Sequence, residues 1–478
     1  MADSVPEAGD QRVGRLRSLL GQMRYRDHTR GSLTKSVVFL ALPSIITSTF
    51  GFSLFQVVDL RFMSLLGVAE VAAAGATNQT FRQGLLLAVL GLSVATQMMI
   101  SRLVGEGRIE GAEHVAGQTF LVGVGVALLA ALAGIFLPHL LASLIARDPE
   151  VIALGAVYLR IGFLTFGLLV SNQIFSAVLN GAGDATTPMI INFVVTPFAI
   201  LGEWVLAFGN LGFPALGIAG MALGSAVGGL MGMSVALFAL FSGRCRVHLR
   251  LRHLVPDWTA IVRLLAFSWQ PALHMVARSL MVIFFMWLAG RLGGNVQAAY
   301  TIGLRIEMLA VMIAFPIANA CATLVGQNLG AGDLPRAWRA VRTTCAVEAV
   351  ALWPAALLLF VFRADLVAFF TDDAAVAKMA SDYLLFSSII LLFNGFYFVA
   401  FRSLQAAGDM NSPMVISLAT AFVLGGPIGF VLAGQTDLGA MGMWIANFVY
   451  AVVNAALMIG WLLVRVRKVR ERRGLPLS

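Results

Sequence analysis

The chain has 478 residues, 59% of them hydrophobic and only 12% charged, with a mean hydropathy of +0.87. A soluble globular protein carries about twice that charged fraction, so soluble domains are excluded and a polytopic membrane protein is expected. The net charge of +9 would suit a nucleic-acid binder, but the Lys and Arg gather at the flanks of apolar runs. That is the pattern of cytoplasmic loops against anionic lipid, so contact with membrane lipids is expected and contact with nucleic acid is not.

The first 35 residues form a basic tail carrying Arg12, Arg15, Arg17, Arg24, Arg26, Arg30 and Lys35. The apolar run that follows, from about Val37, is too long for a signal peptide and should be retained as the first membrane helix. It closes on Phe50-Gly-Phe-Ser-Leu-Phe-Gln-Val-Val-Asp-Leu, which places Asp59 in the helix or at its outer margin. A carboxylate there is costly and is a functional-site candidate by default. The alternative is a helix-end acid that merely pairs with Arg61.

Apolar runs between charged and Gly/Pro breaks define twelve spans, at about 37–60, 70–99, 115–138, 153–178, 187–209, 215–241, 261–290, 297–325, 340–362, 380–402, 413–434 and 439–464. An even count puts both termini on one side. Most of the 33 Lys and Arg then fall on that side, so the positive-inside rule predicts cytoplasmic termini. Three cysteines and scattered histidines have no metal-ligand spacing, so neither a disulfide nor a metal cluster is expected. No phosphate-cradling Gly-rich motif is present either.

The two halves repeat. Tyr158-Leu-Arg answers to Tyr383-Leu-Leu, and Ala182-Gly-Asp-Ala-Thr-Thr-Pro-Met to Ala407-Gly-Asp-Met-Asn-Ser-Pro-Met. Gly105 and Ala112 answer to Gly330 and Ala337, all at one offset of 225 residues. Equivalent positions lie six spans apart, so both halves cross in the same sense, a parallel repeat related by an axis along the membrane normal. The expected organisation is a tail (1–35), a six-helix lobe (36–242), a cytoplasmic linker (243–260), a second six-helix lobe (261–465) and a basic tail (466–478). The fold class is all-α integral membrane protein, with twelve transmembrane helices in two lobes.

The paired Ala-Gly-Asp-x-x-x-Pro-Met motifs, Val325-Gly-Gln-Asn-Leu-Gly-Ala-Gly and Arg305-Ile-Glu-Met resemble those of the multidrug and toxic compound extrusion (MATE) transporters, over about residues 35 to 465. The resemblance implies a secondary active antiporter of a bacterial cytoplasmic membrane. It would exchange amphipathic, often cationic, small molecules for H+ or Na+ by alternating access, with no cofactor and as a monomer. Val-Val-Asp-Leu-Arg-Phe-Met resembles the family's first-helix motif, whose aspartate is a cation or proton site; the role passes to Asp59. Arg61 departs from that motif and would favour the ionised acid. Glu203 takes the place of a fifth-helix Asp, and Ser225 that of a Thr on span 6. Ala199 stands where Na+-binding members often have Asn. Two carboxylates and one hydroxyl would leave Na+ short of about two oxygen ligands, so H+ is preferred.

For the cavity, Phe52, Phe55, Gln56 and Asp59 share one helical face by their spacing. Asn172 and Ser176 form a polar stripe with Asn180, and Thr196 and Asn394 add polar groups on spans 5 and 10. Glu307 and its repeat equivalent Arg82 are read with Arg305 as a structural ion pair or network. Arg278 and Ser279 stand where some members carry an acid, so the second lobe should lack their cation site. Two other functions are the alternatives: a flippase for a lipid-linked precursor, whose relatives usually have 14 spans, and an intramembrane lipid-modifying enzyme, for which the sequence offers no nucleophile–base pair or metal cluster.

Overall fold

A computed structural model describes residues 28–67, 70, 73–75, 81–145, 147–241 and 245–472. Among the described residues the secondary structure is helical, with eleven helices long and apolar enough to cross a membrane and a twelfth span made of a bent pair. In order these are α1 (Leu33–Leu66), α2 (Gln83–Gly105), α3 (Ile109–Phe136), α4 (Pro149–Leu164 and Phe166–Ala182), α5 (Thr186–Phe208) and α6 (Ile218–Phe241). Then come α7 (Trp269–Leu292), α8 (Gly294–Gly330), α9 (Leu334–Ala368), α10 (Ala374–Ala406), α11 (Asn411–Gly434) and α12 (Ala440–Arg472).

Several helices depart from the simple runs read in the sequence. Span 2, expected at about 70–99, is helical at 70 and 73–75, and its helix from Gln83 runs on to Gly105. Span 4 bends by 45° at Thr165, whose hydroxyl bonds the Ile161 carbonyl at 2.8 Å. In α1 a π turn spans Thr47–Phe52. It follows Pro43, which has no N–H to donate, and Thr47 and Ser48 turn their hydroxyls back onto the carbonyls of Pro43 (2.9 Å) and Ser44 (2.8 Å). A second π turn, Thr420–Gly425, interrupts α11. Span 7 was expected from 261, but helix starts at Trp258, because Asp257 caps the N–H groups of Thr259 (2.9 Å) and Ala260 (3.2 Å).

The two largest apolar cores fall one in each half of the chain. One is built from Val89 to Leu264, around Phe166, Ile174, Phe175 and Leu179. The other runs from Met281 to Leu462, around Phe285, Tyr300, Phe398 and Trp444. A smaller cluster joins the halves: Val37, Leu40, Ala41 and Ala185 pack on Ile317, Ala320, Leu324 and Ala340.

Polar bonds reinforce that junction at the end of the bundle from which α1 starts and where α12 finishes. Arg402, 2% exposed, donates to Gln97 Oε1 (2.5 Å), Gln405 Oε1 (2.7 Å) and Asn319 Oδ1. Gln97 donates to Thr323 (3.0 Å), Thr323 to the Asn180 carbonyl (2.9 Å) and Gln327 to the Gly181 carbonyl (3.1 Å). Backbones touch here too: a Cβ on Gly105 would lie 2.0 Å from the Gln327 carbonyl oxygen. Towards the other end α2 and α7 part. A Cβ on Gly91 would strike Ser268 O at 2.3 Å, whereas Gly84, two turns along the same face, has nothing within 4 Å.

Candidate functional site

The site is built by the packing of α5 on α6. Gly220, Gly224 and Gly228 recur at every fourth position, and each lies where a side chain cannot fit. A Cβ on Gly224 would sit 2.2 Å from the Glu203 nitrogen, and one on Gly228 would sit 2.5 Å from the Ala199 Cβ. Such small-residue stripes let helix backbones approach in lipid, where dispersion contacts replace the hydrophobic drive. The close approach puts Ser225 of α6 beside Glu203 of α5, and its hydroxyl donates to Glu203 Oε1 at 2.7 Å. Glu203 is fully buried, and its Oε2 has no hydrogen-bond partner. Ala199 is pressed against Gly228, which explains the small residue there: an Asn would not fit.

Three further side chains complete the group. Asp59, on the regular half of α1 beyond the π turn, is half-buried and interacts electrostatically with Glu203 and with Arg82 at the start of α2. Arg82 also lies in the field of Glu203 and hydrogen-bonds to the Tyr158 hydroxyl from α4. Tyr158 is 6% exposed and sits in the fields of both acids. Neither carboxylate makes a direct ion pair with Arg82 among the described residues. Two acids thus share one fixed cation, with a tyrosine and a serine hydroxyl as the polar contacts.

The structure brings together Asp59, Glu203 and Ser225, as expected from the sequence. Two expectations need correction. The cation serving Asp59 is Arg82, and Arg61 is exposed at the helix surface. The structural ion pair or network read for Arg82, Arg305 and Glu307 needs correction at Arg305. Glu307 Oε2 accepts from Tyr383 (2.6 Å) and Ser387 (2.7 Å) inside the second lobe, and Arg305 is exposed without an ion pair among the described residues. Glu307 thus lies in a hydrogen-bond network of its own lobe, as read, while its repeat equivalent Arg82 lies in the other lobe. Tyr158 was noted only as a repeat match. Its role could have been found from the same offset, since Tyr158 is to Arg82 as Tyr383 is to Glu307.

The cavity residues scatter more. Phe55 is half-buried and Gln56 exposed on α1; the side chain of Phe52 lies outside the described residues. Thr196 lines a cavity of about 410 Å3 between α1 and α5, together with Leu54, Phe62, Pro197 and Trp204. Asn172 packs against Gly232 of α6, a helix–helix contact within the lobe. Ser176 is half-buried, and Asn394 is half-buried on α10.

Taken together, the helices and cores define a polytopic all-α membrane protein with one packed core in each half and an acid–arginine cluster in the first. The profile described as MatE matches residues 43–205 and 271–431, and the chain belongs to that family. A "Probable multidrug resistance protein NorM" of Xanthomonas axonopodis pv. citri is 30% identical over 451 residues, covering 89% of this chain and 93% of that one. One of the same name from Thermotoga maritima is 25% identical over 443 residues, with 89% and 91% covered. Among solved structures, "Crystal structure of MATE in the straight conformation" superposes with a TM-score of 0.85 at 21% identity, covering 93% of this chain and 98% of that one. "Outward-facing conformation of a multidrug resistance MATE family transporter of the MOP superfamily" gives the same score, identity and coverage.

Proposed function

We propose that the protein is a secondary active multidrug exporter, exchanging amphipathic cationic compounds for protons by alternating access. The observation that carries this reading is the arrangement of Asp59, Glu203 and Arg82. Two carboxylates in one low-dielectric site repel each other when both are ionised. One arginine offsets one of them, so the remaining negative charge is what a proton or a cationic substrate neutralises. Occupancy by one then disfavours the other, which is the competition an antiporter needs. Arg82 also occupies the electrostatic place a metal ion would take, which supports H+ over Na+.

The termini are read as cytoplasmic from the Lys and Arg distribution, in a bacterial cytoplasmic membrane. With that orientation, the hydrogen-bonded junction around Arg402 closes the inner side, and the parting of α2 and α7 opens the cleft outwards. The test is efflux of a cationic dye from proteoliposomes, driven separately by a pH gradient and by a Na+ gradient. Asp59→Asn and Glu203→Gln should each abolish pH-driven efflux. Full pH-driven transport in both variants, or efflux in wild type driven by Na+ alone, would sink the assignment.

A further inference from the structure

Arg278 lies near the middle of α7, half-buried, with its guanidinium 5.0 Å from the centre of the Phe398 ring on α10. It is within electrostatic range of the Tyr397 and Tyr450 hydroxyls and of the His274 imidazole. Among the described residues it forms no ion pair and donates no hydrogen bond. A guanidinium has five N–H donors, and an intramembrane cation is kept only where something answers its charge. The Phe398 ring answers part of it. Glu307, the acid of the neighbouring α8, cannot answer the rest, because Tyr383 and Ser387 already hold it.

The surroundings hold a further unspent donor, whereas Ser417 on α11, 2% exposed, is bonded to the Tyr397 hydroxyl. Tyr450 is half-buried and makes no hydrogen bond among the described residues. The π turn of α11 ends against this tyrosine: a Cβ on Gly425 would lie 3.1 Å from its ring and 2.6 Å from Met281 Cε. Such turns are often found at functional sites. Access comes from the splaying of α2 and α7, since Arg278 is about two turns beyond the Gly91–Ala272 contact, where the space between the halves begins.

We propose that Arg278, with the Tyr450 hydroxyl, binds the anionic group of an amphipathic ligand, so that the cleft takes zwitterions and organic anions beside cations. The ligand class has three marks: a carboxylate, sulfonate or phosphate for the guanidinium, an aromatic body for the Phe398 side, and a size that spans the cleft. The site bears on the transport reading above but does not need it, since binding is measurable without a gradient.

The test uses the full chain in phosphatidylcholine nanodiscs and two dyes that share one xanthene body: rhodamine 110, with a free carboxylate, and its methyl ester, rhodamine 123. Arg278→Gln should weaken binding of the free acid at least about tenfold, the worth of a charged hydrogen bond, and Arg278→Lys should restore part of it. Ester binding should move less than about twofold. Tyr450→Phe, a milder change, should weaken the acid alone by about threefold. Equal losses for both dyes, no loss, or wild type that binds only the ester would each overturn the site. Adding phosphatidylglycerol tells the source of the anion: displacement from wild type alone assigns it to a lipid headgroup, and no displacement to the solute, the site standing in both cases. Failure to export the ester under a pH gradient, with the binding pattern intact, would refute the transport reading and leave the anion site in place.

Discussion

Tyr158 and Tyr383 occupy the same position of the repeat, yet they serve opposite charges. In the first half Tyr158 bonds Arg82, which stands between two acids. In the second half Tyr383 donates at 2.6 Å to Glu307, the residue equivalent to Arg82, and Ser387 adds a second bond at 2.7 Å. A tyrosine hydroxyl accepts from a cation as readily as it donates to a carboxylate, so one backbone frame holds either sign. The remaining positions diverge accordingly. The repeat equivalent of Ser225, which bonds Glu203, is Tyr450, which faces Arg278. In the first helix of each half, where Gly67 aligns with Gly293 and Pro43 with Pro271 at offsets of 226 and 228, the stretch equivalent to Asp59 is the apolar Phe285 to Trp287. The frame is symmetric, and the charge placed in it is inverted.

The harshest way to break this comparison is to give the first half the second half's residue, Arg82→Glu. Three acids would then share the site without a cation, and leaving a buried charge uncompensated costs about 3–5 kcal/mol. The expected outcome is a large fall in melting temperature in detergent together with loss of proton-driven efflux. A melting temperature within error of wild type would show that Arg82 is not the counter-charge of the pair.

Next in size is Gly224→Ala. The added methyl would lie 2.2 Å from the Glu203 nitrogen, and overpacking of this kind costs about 1–3 kcal/mol. The shift of α6 should also break the Ser225–Glu203 bond, so transport should fall more than stability. Retained transport at reduced stability would mean that the bond does not matter for coupling.

The tyrosines themselves give a finer contrast. Tyr158→Phe and Tyr383→Phe each remove one hydrogen bond to a charged group, worth about 1.5–3 kcal/mol. Both should lower the melting temperature, but only Tyr158→Phe should move the pH dependence of efflux. If Tyr383→Phe moved it as much, Glu307 would belong to the coupling machinery and the two halves would be less different than they look.

The smallest effect is expected in the connection between the halves. The segment 245–257 is clamped on the start of α3: Gln118 donates to the carbonyls of His253 (2.9 Å) and Val255 (2.8 Å), and His114 bonds Asp257 at 3.1 Å. Burial lowers the pKa of His253 below its ordinary 6.5, and the His114 hydrogen bond lowers that of Asp257 below 3.8. A lowered histidine binds fewer protons folded than unfolded, so the clamp is at full strength above pH 6.5 and weakens as pH falls below it. Asp257 adds a loss that begins only below about pH 4. The hydrogen-exchange protection factors across 245–257, taken against the intrinsic rate at each pH, should therefore fall between pH 7 and pH 5, and His253→Gln should flatten the change.

Much of this was legible in the residues. Spans, repeat and family motifs follow from periodicity and from constraints the bilayer imposes on every apolar run. Asp59 and Glu203 stood out because carboxylates in such runs are rare. Other features were harder to see. Pairing Asp59 with Arg61 was natural because they are two residues apart, but in a helix neighbours at that spacing point to different sides. The true partner, Arg82, lies at the start of another helix, and only the tertiary assembly of the first half decides it.

The same division runs through the whole protein. Apolar length and local turn chemistry determine that helices form and roughly where they end, because lipid leaves the backbone no other way to satisfy its polar groups. Which side chains meet is decided by rotation and depth of helices against one another, set here by Gly220, Gly224 and Gly228 and by the π turns. Those contacts join residues far apart in the chain, such as Ser225 with Glu203 and Arg278 with Phe398. A repeat in the sequence can predict that two tyrosines are equivalent. Only the tertiary structure shows that one holds an arginine and the other a glutamate.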